Sequence, residues 1–310
     1  DQRALRRPLD AGKVGMGLAL VRHRGANIGR PTAPPASSLP RRMAKLSVIT
    51  PARNMAGFLP DTLESVAALR TPHEHIVIDG ASDDGTVELL EGREDPNLTW
   101  ISEPDSGQTE AVNKGLRLAQ GDLLAWVNAD DAFIPGAVDR ALDHLDRNPE
   151  VGAIFGAVNY VDEKGDVFRT LVPPRFSWRR YLYFGAFVTT PTIIWRRELM
   201  AQAAALDERY VDAADYDFFL RLLRGVRVDR IDEPYLDFRY HPSSKTTTDV
   251  WVQLDEAKEI RLRWARNPVQ RGIMRSWEAS RRAVLPRISS WPHPEPRGVV
   301  KLLRRIGARG

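Results

Sequence analysis

The sequence predicts an α/β fold: a Rossmann-like, mostly parallel sheet flanked by helices, followed by a helical C-terminal extension. Three observations predict it. Short apolar, β-branched runs alternate with amphipathic helical segments between residues 46 and 145, at the spacing of βα units. Four of those runs end in polar segments, beginning at Pro51, Asp79, Glu103 and Asn128, which puts four sets of polar side chains at one sheet edge. The length of 310 residues, 43% of them hydrophobic, suits one large α/β unit or two closely joined lobes, plus tails.

Residues 46–50 form a β-branched run that stops at Pro51, as a buried parallel strand does. A helix over 59–69 follows, with Leu59, Leu63, Val66 and Leu69 on one side. Residues 75–78 are a second strand, running into a polar turn over 79–86 that contains Gly80 and Gly85. A helix over 87–91, a strand over 98–101, a helix over 109–119 and a strand over 123–127 continue the alternation. The last of these strands ends in Asn128-Ala129-Asp130-Asp131, and a helix over 135–145 closes the regular half. The second half is less periodic: a strand over 153–160, a turn over 162–166, a β-like stretch over 188–195, and a helix over 217–223 capped by Asp215. Strands over 228–231 and 235–240 and a helix over 249–264 follow, and amphipathic basic segments cover 269–285 and 299–306. The domain reading is a flexible basic arm or non-native extension over 1–43, one half of the catalytic domain over 44–150, the other over 151–248, and a basic helical tail over 249–310.

Charge is divided unevenly. Residues 1–43 hold nine Lys/Arg against two Asp, and residues 261–310 hold thirteen against two Glu, so the formal net charge of +4 hides an acidic body of about −14. Nucleic-acid binding needs basic residues on the body and is not expected. The basic ends read as solvated tails, with contact to an anionic membrane surface as the alternative. Cysteine is absent, which excludes disulfides, thiolate metal sites and cysteine nucleophiles. No apolar run reaches the length of a membrane span.

The first strand is followed by neither Gly-x-Gly-x-x-Gly nor a phosphate-binding Gly-Lys-Ser/Thr loop, which removes the main support for dinucleotide or P-loop chemistry. Asp79 at a strand end suits acceptance of hydrogen bonds from a base or ribose; a local turn-and-cap role with Ser82 and Asp83 competes. Carboxylates clustered at Asp130 and Asp131 are oxygen donors for Mg²⁺ or Mn²⁺ beside a diphosphate, and the same pair also suits a helix start. Trp126, Trp178 and Trp195 are assigned to the core rather than to sugar stacking.

Taken in order, these motifs resemble a family 2 glycosyltransferase over residues 46–248. The resemblance rests on Ser47-Val48-Ile49-Thr50-Pro51 with Asn54, Ile78-Asp79-Gly80-Ala81-Ser82-Asp83-Asp84-Gly85-Thr86, and Ser102-Glu103-Pro104-Asp105-Ser106-Gly107-Gln108. It continues through Asn113-Lys114-Gly115 and Gly121-Asp122 to Asn128-Ala129-Asp130-Asp131. Such a resemblance implies a GT-A fold, a nucleotide-sugar donor (UDP-hexose by default), Mn²⁺ or Mg²⁺, and inversion at the anomeric carbon. Asn128-Ala129-Asp130 stands where the family has Asp-x-Asp, with Asn for the first Asp. Carried over by position, the donor-binding residues are Pro51, Asn54, Asp79, Asp105, Asn113, Lys114, Asn128, Asp131 and Lys245. The metal ligands are Asp130 and His241, with Asp131 as the alternative. The general base is Asp215, with Asp217 second; a cap and a first-turn acid are the local roles those two residues also fit. The acceptor implied is a glycan or a lipid-linked saccharide, and the place a cytoplasmic one, peripheral to the inner face of the plasma membrane. The Gln-x-x-Arg-Trp segment of processive synthases is missing, which favours single addition. A sugar-nucleotide pyrophosphorylase or other nucleotidyltransferase, or an inactive sugar-nucleotide-binding protein, are the competing functions.

Overall fold

The structure, a computed structural model, describes residues 45–184, 188–241, 250–265, 267–272 and 274–276. The expected N-terminal arm, Lys245 and most of the basic tail lie outside the described residues. In chain order the strands are β1 Leu46–Ala52, β2 His73–Asp79, β3 Leu98–Ser102, β4 Leu123–Trp126, β5 Ala132–Phe133, β6 Ala153–Val161, β7 Val167–Leu171, β8 Ile194–Arg196 and β9 Val228–Arg239. The helices are α1 Leu59–Ala67, α2 Thr86–Glu91, α3 Gln108–Leu118, α4 Pro135–Arg147, α5 Trp178–Phe184, α6 Met200–Ala203, α7 Ala214–Leu222 and α8 Val250–Trp264. Among them, none is long and apolar enough to cross a membrane.

The strands join in one sheet of order β3-β2-β1-β4-β8-β6-β9-β5, with β7 paired to β6 off this path. Strands β3, β2, β1 and β4 are mutually parallel. Strand β8 is antiparallel to both β4 and β6, and β9 returns parallel to β6. After β1 the chain builds outward through β2 and β3, then crosses back to lay β4 on β1's other side. That reversal opens a crevice beyond the carboxyl ends of β1 and β4, where α/β sheets bind ligands.

Both faces of the central strands are covered, which explains their unbroken apolar runs. Leu46 and Val48 of β1 pack with Leu123, Ala125, Val138 and Leu142 on one face. Ile49 packs with Leu124, Trp126, Ala111 and Val112 on the other. Trp126 and Trp195 are core residues, 5% and 1% exposed, as the sequence suggests.

The differences from expectation have local causes. Strand β1 runs through Pro51 to Ala52, because pairing with β4 ends at Ile49 and leaves only β2 as a neighbour there; the missing proline N–H then breaks no ladder on that side. The two strands expected over 228–240 are a single β9, whose register to β6 shifts on either side of the Ala157–Pro234 pair. The bulge accommodates Pro234 and Glu233 within a continuous strand. The β-like stretch over 188–195 is a 3₁₀ turn, Thr190–Thr192, followed by the three-residue β8; Pro191 sits in the turn. Helix α7 starts at Ala214, so Asp215 lies inside its first turn rather than capping it. Strand β7 was not expected: its Val167 and Phe168 are more than half exposed and give no alternation.

Candidate active site

The loops after β1 and β2 are stitched to each other by hydrogen bonds from backbone to side chain. Asn54 takes a left-handed conformation (φ 54°), which asparagine tolerates better than most residues. Its N–H donates to Ser82 Oγ at 2.7 Å, and Asp83 N–H returns a bond to Asn54 Oδ1 at 3.0 Å. Met55 N–H reaches Thr86 Oγ1 (2.9 Å) and Ala56 N–H reaches Asp84 Oδ2 (2.9 Å). Asp79, at the end of β2, is fully buried. Its carboxylate accepts from Ser82 N–H (3.0 Å), Ser82 Oγ and Ser102 Oγ (2.6 Å). Asp79 therefore organises the wall of the crevice, in keeping with the local role that its position also suggested.

Asp105, at the end of the β3 loop, is half-buried and lies directly over Gly80. A Cβ on Gly80 would sit 2.9 Å from Asp105 Oδ2, so the missing side chain is what admits that carboxylate. Asp105 Oδ1 also accepts Gly107 N–H at 2.9 Å, just ahead of α3. Helix α3 accounts for two residues expected at the donor. Asn113 is 3% exposed. Its amide donates to Leu206 O (3.1 Å) and Glu208 Oε1 (2.9 Å) and accepts Leu206 N–H (2.8 Å). Lys114 Nζ lies 2.9 Å from both Glu103 and Glu110, and the Glu103 carboxylate in particular raises its pKa. These side chains tie α3 to neighbouring segments.

At the end of β4, the structure separates the two aspartates. Asp131 is 1% exposed. Its Oδ1 accepts Arg239 N–H at 3.0 Å, its Oδ2 accepts the Asn128 amide at 3.0 Å, and its carbonyl accepts Thr62 Oγ1 at 2.7 Å. Burial, with Asp130 adding to it, pushes the Asp131 carboxyl well above its usual range. Asp131 is thus held inward by its two carboxylate oxygens and its carbonyl. Asn128 is engaged in the same way: besides donating to Asp131, its Oδ1 accepts Gln108 Nε2 and Trp126 Nε1, each at 3.0 Å. An aspartate there could not donate to Asp131 and would add a third carboxylate, so Asn at this position has a physical reason.

Asp130 points the other way. Its Oδ2 lies 3.0 Å from His241 Nε2, and 16% of its side chain is exposed. His241 is held by ring contact with Phe58 (centroids 4.7 Å apart), over which the Arg239 guanidinium sits at 5.3 Å. Arg239 is the residue that sequence reasoning missed. It donates to Asp130 O (3.1 Å), Glu163 O (2.8 Å) and Asp61 Oδ2 (2.6 Å), joining four segments beneath the Asp130–His241 pair. Its signal was faint, since β9 already holds Asp229, Arg230, Asp232, Glu233 and Asp237, and burial of Arg239 is not written in the sequence.

Among the described residues, no three His, Asp or Glu side chains group to hold a metal. Asp130 and His241 supply one carboxylate and one imidazole. Mg²⁺ and Mn²⁺ bound with nucleotides draw much of their shell from phosphate and water. The pair therefore fits an ion that arrives with a diphosphate, not a cage formed by protein alone.

The second carboxylate region is on α7. Asp215 is half-buried; its Oδ2 accepts Thr190 Oγ1 at 2.5 Å and its Oδ1 accepts Tyr216 N–H at 2.7 Å. Burial raises its pKa, against the lowering effect of those two bonds. Asp217, two residues on, faces another side of the helix and is 2% exposed. It is paired with Arg221 Nε at 2.8 Å and with Arg263 Nη2 at 2.7 Å. Asp217 is therefore held between two arginines, from its own helix and from α8. The Thr190–Thr192 turn links the two regions: the hydroxyl of Tyr235 on β9 donates to Thr192 O, and Tyr160 on β6 bonds the Thr189 side chain. Pro51 is a backbone element of β1, and Lys245 lies outside the described residues.

The chain is 35% identical over 179 residues to an uncharacterised glycosyltransferase of Mycobacterium tuberculosis, covering 57% of this chain and 68% of that relative. Its fold is similar to that of TarS 1-349 from S. aureus in complex with UDP-GlcNAc (TM-score 0.58, 20% identity), with 84% of this chain and 77% of that one covered. It covers 42% of the longer TarS chain. It is also similar to the mannosyltransferase PcManGT from Pyrobaculum calidifontis in complex with GDP-Man and Mn²⁺ (TM-score 0.51, 18% identity), with 86% and 81% covered. The model of the family described as Glycosyl transferase family 2 matches residues 47–202. With its crevice at the carboxyl edge of a GT-A sheet, the chain belongs to glycosyl transferase family 2, enzymes that move a sugar from a nucleotide-sugar donor to an acceptor.

Proposed function

We propose that the enzyme is an inverting transferase that uses Asp215 as general base and Asp130 with His241 as its metal-binding pair, and that its acceptor is a hydroxyl of a glycan or lipid-linked saccharide. One observation carries the reading. Of the four aspartates in the two candidate regions, Asp131 and Asp217 are all but fully buried in internal contacts, and Asp130 and Asp215 are the two that keep partial exposure. The nucleotide would lie along the wall built by the stitched β1 and β2 loops, with Asp105 over Gly80 as the carboxylate turned towards the base.

In the step proposed, the acceptor oxygen attacks the anomeric carbon from the face opposite the diphosphate, and its proton passes to the Asp215 carboxylate. The carbon–oxygen bond to the diphosphate breaks, and its electron pair leaves with the phosphate oxygen. A raised pKa suits a base that must accept a proton from an alcohol during attack. Thr190 holds one carboxylate oxygen and leaves the base a fixed orientation. A divalent ion, when bound at Asp130 and His241, supplies Lewis-acid stabilisation of the departing diphosphate.

The acceptor class follows the family resemblance. The metal follows the donor set, together with the Mn²⁺ that accompanies GDP-Man in the PcManGT complex. The stereochemical part is tested by proton NMR of the product formed from an α-linked nucleotide-sugar. A β-linked product is expected; an α-linked product overturns single displacement by one base.

A further inference from the structure

Helix α7, which carries Asp215, has no capping side chain of its own: the residue before it is Ala213. Its approach is held from elsewhere. Three successive backbone N–H groups converge on one carboxylate of α8: Val211 N–H on Glu256 Oε1 at 2.9 Å, and Asp212 and Ala213 N–H on Glu256 Oε2 at 2.9 and 2.8 Å. Other residues of α8 extend the hold. Tyr210 donates its hydroxyl to Glu259 at 3.0 Å, and Arg263 reaches Asp217 at 2.7 Å. Leu254, Ala257 and Ile260 bury the same helix at the spacing of one face. A helix beginning more than thirty residues later thus braces the segment that presents the base.

We propose that Glu256 is the positioning residue of the general base, fixing the start of α7 and with it the Asp215 carboxylate. The proposal rests on the reading of Asp215 as the base. A carboxylate receiving three charge-assisted N–H bonds just ahead of a helix start is a strong anchor, and the helix dipole favours negative charge there.

Glu256 also acts on the base electrically. The groups that face Asp215 are Thr190 from the 3₁₀ turn, Tyr181 from α5, Glu256 from α8 and the Tyr216 N–H of its own helix; Asp212 lies in the segment just before. Glu256 opposes ionisation of Asp215, in the same direction as burial, and the Thr190 and Tyr216 bonds oppose both. Glutamine at 256 keeps the size of the side chain, removes the charge, and aims an NH₂ group at N–H donors. Aspartate keeps the charge and shortens the reach.

The test uses the full chain with carbon-13 at the aspartate side-chain carboxyl, the Asp215 signal being assigned by its loss in Asp215→Asn. In Glu256→Gln the titration midpoint of Asp215 is expected to fall, and the amides of Val211, Asp212 and Ala213 to exchange at least about tenfold faster. In Glu256→Asp the same amides exchange faster while the midpoint stays near that of the native chain. An unchanged midpoint and unchanged exchange in folded Glu256→Gln overturns the proposal, and so does an equal midpoint shift in both variants. If Glu256→Gln does not fold, the aspartate variant decides by its amides, and slow native-like exchange there overturns the anchoring. Failure of the base reading shows separately, as sugar transfer retained by Asp215→Asn.

Discussion

Asp215→Asn is expected to lower kcat for sugar transfer by about 10²- to 10⁴-fold, the usual contribution of a positioned general base. With the amide oxygen on Tyr216 N–H, the NH₂ group faces the Thr190 hydroxyl, which can turn to accept, so the fold around α7 is kept. Donor affinity should stay within about twofold, because the lost interaction belongs to the reacting step. The pH profile follows from the same carboxylate. Burial raises its pKa, so kcat should rise with pH along a limb lying above the ordinary carboxylate range, where the base becomes ionised. Asp217→Asn provides the contrast. It breaks pairing to Arg221 and Arg263, which are themselves part-exposed, and costs about 2 kcal/mol of stability rather than catalysis. Steady-state rates and thermal melts of the two variants check this. Equal loss of kcat in both, per folded protein, would remove the distinction.

Asp130→Ala should have the second large effect, on the metal-dependent part of donor binding. Asp130 is the one carboxylate of the 128–131 segment that is not locked inward, and it meets His241 at 3.0 Å. Removing a direct ligand costs at least as much as removing the groups that orient ligands, so donor Kd in Mn²⁺ is expected to rise on the order of 100-fold. Without metal, the variant and the native chain should differ little. Asp131→Ala is expected to act differently: it strips the Arg239 N–H and Asn128 amide of their acceptor and destabilises the fold by about 1–3 kcal/mol. Calorimetric titrations with and without Mn²⁺, beside thermal melts, separate these outcomes.

Much of the fold was legible because its central strands obey simple rules. β1 and β4 are buried on both faces and read as continuous apolar runs, and each helix between them shows a clear apolar side. The second half was harder for stated reasons. Pro234 looks like a strand breaker until a bulge against β6 absorbs it. β7 is an exposed edge strand, and Pro191 turns an apolar stretch into a 3₁₀ turn. The site was legible as a set of strand ends, not as roles. Asp79, Asn128 and Asp131 stand at the expected places, yet each is engaged by partners close in space, such as Ser102 and Arg239, that spacing alone does not bring together. Asp215 was placed ahead of Asp217 by position in the motif alone. Arg263, 46 residues from Asp217, is what distinguishes them. The cap that Ala213 lacks comes from Glu256, and no local motif announces a cap supplied by another helix.

The most direct measurement is calorimetric binding of UDP-, GDP- and dTDP-sugars to the full chain, in Mn²⁺ and again with chelator. One nucleotide class is expected to bind in the presence of Mn²⁺, and that binding to be weakened by chelator and by Asp130→Ala. Absence of binding by every nucleotide-sugar to the folded chain, or binding indifferent to Mn²⁺ and to Asp130, would contradict the proposed donor site.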